Sequence, residues 1–152
     1  MKKIIFGFVL LLSLVFLSFK TEKTKVTIKE VVVKAPFEMP AIQIPDFSNC
    51  KKLSIVDFGA IKGNKEKTSQ AISKAIDKAN KLGGGIVVIP EGEWITAKIH
   101  FKSNVNLHLD KGAVLLFSED PKDYLPAVHS TWEGYECLNY SPLIYAYQCK
   151  NI

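Results

Sequence analysis

From Gly83 onward the chain reads as short apolar runs separated by turn residues. The runs are Ile86 to Ile89, Trp94 to Phe101, Val105 to Leu109, Ala113 to Phe117 and Leu143 to Tyr147. Pro90-Glu91-Gly92, Lys102-Ser103-Asn104, Asp110-Lys111-Gly112 and the segment 118–122 separate them, so each run is predicted as a strand. In the third run Val105, Leu107 and Leu109 share one face, and Asn104, Asn106, His108 and Asp110 share the other. That alternation predicts a strand with one buried and one wet side. Ile86 to Ile89 and Val114 to Phe117 are apolar on both faces, which predicts cover on both sides. Before Gly83 the period changes: Ala71, Ile72, Ala75, Ile76, Ala79 and Leu82 lie at helical spacing, with Lys74, Asp77, Lys78 and Lys81 opposite. A helix over 68–82 follows, with Thr68 or Ser69 as N-cap and Gly83 just past its end.

Upstream, Leu53 to Val56 reads as a strand ending at Asp57-Phe58-Gly59-Ala60, followed by a Lys-rich loop over 62–67. Residues 20–34 are Lys-rich, with Val26 to Ile28 and Val31 to Val33 as short strands or extended linker. Pro36, Pro40 and Pro45 then predict an extended arm laid on the body surface. Short strands at close intervals suit a sandwich, a barrel or a β-solenoid. No Asn-Gly or Gly-Gly hairpin pair lies between Trp94 and Phe117, which weakens the antiparallel options. One amphipathic helix ahead of the strands suits a solenoid, whose first coil exposes an apolar end that must be covered.

The 152 residues carry a net charge of +5, with fifteen acidic residues, twenty Lys and no Arg. Residues 1–34 hold seven Lys against Glu22 and Glu30, which is the whole excess; residues 35–152 are neutral. A neutral body without Arg is a poor phosphate reader, so nucleic acid is not an expected partner. Met1-Lys2-Lys3, the apolar run Ile4 to Phe19 and Lys20 have the layout of an export signal, with a retained anchor as the alternative. The expected location is periplasmic or extracellular, with membrane contact only through the leader. The chain then divides into the leader 1–19, a Lys- then Pro-rich arm 20–50 and the body 51–152. Cys50, Cys137 and Cys149 include no C-x-x-C, so no metal site is predicted; either Cys137 pairs with Cys149 or all three are free thiols.

Single features carry limited chemistry. Gly83-Gly84-Gly85 follows a helix and precedes a strand, the reverse of a phosphate-binding loop, and reads as a tight turn. His100, His108 and His129 lack ligand spacing; His108, on the wet strand face, is the best functional candidate among them. Asp120 and Asp123, with Pro121 and Lys122 between them, read as a solvated loop rather than a catalytic couple. Trp94 reads as core. Trp132 and Glu133, with Tyr135 nearby, are the candidate saccharide contact, against the alternative that Trp132 is packing. An exposed aromatic stacks on a pyranose face while a carboxylate accepts from ring hydroxyls.

Three series in the body carry a resemblance. They are Ile55-Val56-Asp57-Phe58-Gly59-Ala60, Gly83 to Gly92, and Leu107-His108-Leu109-Asp110-Lys111-Gly112-Ala113. With the entry segment Pro36 to Pro40, Trp132-Glu133-Gly134 and Tyr140 to Ala146, they resemble the N-terminal part of glycoside hydrolase family 28, the polygalacturonase-like enzymes of the pectate-lyase-like superfamily. The resemblance covers about residues 35–152. It implies an all-β, right-handed single-stranded parallel β-helix whose N-terminal end is capped by the one α-helix. It also implies a secreted hydrolase of pectic polysaccharide that inverts the anomeric carbon, without cofactor. The family's Asn-x-Asp, Asp-Asp, Gly-His-Gly and Arg-x-Lys signatures are absent, and Lys65 and Lys67 stand where relatives are acidic. The expectation is therefore the front of such an enzyme, truncated before its catalytic carboxylates, with no catalytic residue of its own. The alternatives are a non-catalytic exported β-helix fragment that binds polysaccharide, and a lyase or epimerase relative. A β-helix ending at Ile152 is further expected to be poorly soluble or to self-associate, because its last strand keeps open backbone groups; its oligomeric state is not legible.

Overall fold

The computed structural model describes residues 25–152. The leader read at 1–19 lies outside the described residues, as does the start of the arm.

The strands run β1 (Thr27–Val31), β2 (Ile42–Asp46), β3 (Lys51–Ser54), then helix α1 (Lys65–Lys81), β4 (Gly85–Ile89), β5 (Gly92–Thr96) and β6 (Ile99–His100). They continue through β7 (Val105–Leu109), β8 (Ala113–Phe117), β9 (Val128–Trp132), β10 (Tyr135–Asn139) and β11 (Ile144–Tyr145). Three sheets are purely parallel: β3-β4-β7, β5-β8 and β6-β11. Gly85 pairs with Val105 and Gly92 with Ala113, so the chain returns above itself after each circuit. This is a right-handed parallel β-helix in which successive strands enter different sheets. Ile99 pairs with Ile144, a much longer interval, and the surplus residues form an excursion over 118–143.

α1 caps the end of the stack. Ala71, Ile72, Ala75, Ile76 and Ala79 are buried against Leu53, Ile55, Val87, Ile89, Trp94, Ile99 and Val105, so one helix face seals the interior of the coils. The helix begins one turn earlier than the sequence pattern suggests. Asn64 is the N-cap, its side chain accepting from the Lys67 amide at 3.0 Å. Nothing in the Lys-rich segment 65–67 breaks a helix, and Asn is among the best caps. Thr68 and Ser69 serve elsewhere. The Thr68 hydroxyl donates to the Ile61 carbonyl, and the Ser69 hydroxyl donates to the Lys65 carbonyl while accepting from the Ala97 amide. Gly83, at φ +87°, ends the helix in the left-handed conformation its position anticipated.

Other expectations need correction. The run Trp94 to Phe101 is two strands, bent at Ala97-Lys98 where the wall turns from one sheet to another. β4 is covered on its outer side, where Val26, Phe47 and Cys50 pack on Ile86, but that cover does not extend to β8. Val114 and Leu116 are 44% and 41% exposed, so β8 is covered on one face only, where Ala113, Leu115 and Phe117 are half-buried against the core. The arm is not laid flat: β1 and β2 pair antiparallel with each other, and every β1 residue is exposed. The Lys29 ammonium, 2.6 Å from Asp46, ties the two strands and, with the Ser48 amide, holds the Asp46 carboxyl down at about 2. β9 and β10 form an antiparallel hairpin that the sequence pattern did not mark. Its two-residue turn is Glu133 (φ +49°) and Gly134 (φ +88°), a primed geometry reached without Asn.

Candidate saccharide-contact site

The excursion over 118–143 is pinned at its root. Lys65, in the first turn of α1, bonds the Asp123 carboxylate, which also accepts from the Ser118 hydroxyl. These contacts push the Lys65 pKa up and the Asp123 pKa down, with the direct hydrogen bond the leading cause of each. The Lys98 ammonium donates to the backbone carbonyls of Asp123 and Leu125. Tyr124 is buried, and its hydroxyl donates to the Ser118 carbonyl at 2.5 Å. Asp123 is therefore a structural carboxylate rather than part of a solvated loop. Asp120 accepts from the Lys122 amide and caps the short 3-10 turn Pro121–Tyr124. The two are not arranged as an acid and a base.

Beyond this root, His100 meets Ser141. The Ser141 hydroxyl donates to the Pro142 carbonyl at 3.0 Å, so at 2.9 Å it accepts from His100 Nε2–H. Burial, and then the nearby Lys98 charge, push the His100 pKa down. His108 is exposed on β7 and lies 3.4 Å from Asp110, just past the end of that strand.

The hairpin projects outward and carries the residues singled out by the sequence. Trp132 and Tyr135 are directly paired across the strands and are 66% and 80% exposed. Directly paired residues lie on one face of a hairpin, so both aromatic side chains leave the same face. Glu133 stands at the tip between them and is exposed. Trp132 is thus not packing, unlike Trp94, which is 3% exposed with its indole N–H donating to the Pro90 carbonyl at 2.7 Å. Two exposed rings beside a carboxylate suit an amphipathic ligand with an apolar face and a hydroxylated rim.

A second aromatic group was missed at the sequence level. Tyr145 and Tyr147 are near-parallel, with ring centroids 6.1 Å apart; His100 lies 5.1 Å from Tyr145, and His129 5.2 Å from Tyr147. The alternation Tyr145, Tyr147 within the apolar run hinted at a shared face, but the pairing with His129 needs the hairpin. All three Cys are free, so Cys137 and Cys149 do not bond to each other. Cys50 is buried, and burial raises its thiol pKa. Among the described residues no group of His, Cys, Asp and Glu is arranged to hold a metal, and no helix is long and apolar enough to cross a membrane.

The fold and site thus define a helix-capped, right-handed parallel β-helix with an outward aromatic hairpin. Comparison with known proteins narrows this class. No protein-family profile matches the chain. In structure it is similar to an exopolygalacturonase from Thermotoga maritima, with a TM-score of 0.62 and 40% identity over 72% of this chain and 23% of that one. A family 28 exopolygalacturonase from Yersinia enterocolitica gives 0.58 and 32%, covering 72% and 19%. In sequence it is 33% identical over 70 residues to a probable polygalacturonase of Vitis vinifera, covering 44% of this chain and 14% of the relative. It is also 38% identical over 81 residues to a plasmin and fibronectin-binding protein A of Streptococcus pneumoniae, covering 52% and 11%. The chain spans less than a quarter of the length of each of these proteins. The resemblance to polygalacturonases therefore holds in sequence and in structure, for a part of those enzymes.

Proposed function

We propose that the chain forms the N-terminal coils of an exported glycoside hydrolase of the family 28 type, acting on pectic polysaccharide. The observation that carries this reading is the likeness to two exopolygalacturonases over 72% of the chain. Inverting hydrolysis needs two carboxyl groups about 6.5–9.5 Å apart across the scissile bond. The sequence holds no Asn-x-Asp or Asp-Asp, and the carboxylates of Asp46, Asp77 and Asp123 are bound by Lys29, Lys102 and Lys65. The role of these coils is then to hold the chain of sugars. Trp132 and Tyr135 stack on pyranose faces and Glu133 accepts from ring hydroxyls. Export rests on the leader pattern at 1–20, read as a cleaved signal or a retained tether.

The test separates binding from cleavage. The 152-residue chain is expected to be retarded on polygalacturonate gels while releasing no reducing ends. Release of reducing ends by this chain alone would overturn the assignment of its role. A second reading, a non-catalytic binding module, draws on the similarity to the streptococcal plasmin and fibronectin-binding protein. Retention on immobilised plasmin or fibronectin, without retention on polygalacturonate, would select it.

A further inference from the structure

The hairpin that carries Trp132 is latched to the β-helix wall by a hydrogen bond from Tyr145 and a ring contact from Tyr147. Tyr145 belongs to β11, and its pairing with His100 in β6 builds it into that wall. Its hydroxyl leaves the wall and donates at 2.8 Å to the backbone carbonyl of His129, in the first strand of the hairpin. Its ring lies against those of His100 and Tyr147, and Tyr147 carries the contact on to the His129 ring. Hydrogen bond and rings thus converge on His129, three residues before Trp132.

The register decides what this latch leaves free. His129 pairs with Leu138, whereas Trp132 pairs with Tyr135, and side chains alternate along a strand. His129 is therefore on the face of the hairpin opposite the Trp132–Tyr135 surface. Tyr147 thus meets the hairpin at His129 on that opposite face, and Trp132 and Tyr135 stay exposed.

We infer that Tyr145 is a positioning residue: through the His129 carbonyl it sets the angle at which the wall presents Trp132 and Tyr135 to a saccharide. The inference deepens the pectic reading and rests on it for the identity of the ligand. Ring packing alone would tolerate Phe at this position. The hydroxyl supplies the directional contact, because its donor is aimed at one backbone oxygen of the hairpin.

The experiment uses the full chain labelled with 5-fluorotryptophan. The sequence has two Trp, so two fluorine resonances report the two places at issue: Trp94 in the wall and Trp132 on the hairpin. Substitution W132F assigns them. In Tyr145→Phe the Trp132 line is expected to shift or broaden while the Trp94 line and the melting temperature stay in place. Affinity for polygalacturonate, read by gel retardation, falls about fivefold, the equivalent of one ordinary hydrogen bond. An unchanged Trp132 line, or unchanged affinity beside a moved line, overturns the positioning role. Movement of both lines with a lower melting temperature overturns it too, since Tyr145 would then serve the wall as a whole. If the unaltered chain is not retarded at all, the pectic reading fails, and the Trp132 line alone decides whether Tyr145 sets the hairpin.

Discussion

Gly85 opens β4 directly under the helix cap, where a Cβ would stand 2.7 Å from the Ala79 Cβ. Its reason for being glycine is closeness of approach, and the neighbouring atoms belong to a buried helix face that cannot yield cheaply. Gly85→Ala is expected to destabilise the fold by about 1–3 kcal/mol, read as a lower urea midpoint with unchanged slope. His100 offers a pH effect of definite sign. Its folded pKa lies below the ordinary 6.5, so the unfolded chain binds the proton more readily. Stability is then fully present above about pH 6.5 and is lost as pH falls through that value toward the folded pKa. Denaturation midpoints at pH 7.5 and pH 5 should differ, and His100→Gln should reduce the difference. Asp46 and Asp123 do not confuse that window. Their pKa values are lowered from 3.8, so their contributions are lost only in stronger acid.

At the scale of elements, the two hairpins differ in what holds them. β1–β2 leans on the body through Val26, Phe47 and Cys50; β1 is exposed throughout, and β2 is half-buried only at Pro45 and Asp46. β9–β10 is tied through His129, Tyr145 and Tyr147, and its shape depends on its turn. Gly134 at φ +88° sits where a side chain is strained. Gly134→Val should cost about 1–2 kcal/mol of local order at that turn. The expected result is loss of amide protection in β9 and β10, seen by hydrogen exchange, with protection retained in β4 and β7. For α1, Asn64→Ala removes the acceptor of the Lys67 amide and should cost about 1 kcal/mol in thermal or urea unfolding. The helix was legible because six apolar positions kept one period. Its start was not, because Asn64, Thr68 and Ser69 are all good caps, and only the packing of the Thr68 and Ser69 hydroxyls against Ile61 and Lys65 left Asn64 as the N-cap. The hairpin escaped notice because Glu133 is not a usual residue for a left-handed turn.

At the scale of the molecule, one core joins the helix to the strands of the wall. Ile72 and Ile76 share that core with Val87 in β4, Trp94 in β5, Ile99 in β6 and Val105 in β7, so a cavity beneath the cap is felt throughout. Ile72→Ala should destabilise by about 2–5 kcal/mol, and the near-ultraviolet signal of Trp94 should be lost together with the far-ultraviolet signal. Separate transitions would show that cap and coils melt independently.

The sequence by itself determined the run of short strands, the one amphipathic helix, the buried Trp94 and the neutral body, because period, turn residues and charge are local properties; among sandwich, barrel and solenoid, the β-helix was what the resemblance implied. It also carried the resemblance to polygalacturonases, which the comparisons support for part of those enzymes. Tertiary structure alone decided that β8 is open on one side, that the Pro-rich arm pairs with itself, that Asp123 belongs to Lys65, and that Trp132 faces solvent with Tyr135. These are contacts between residues far apart in the chain, or between strands whose register rests on one turn. Periodicity reports that a residue has a face; only the packed chain says what lies against it.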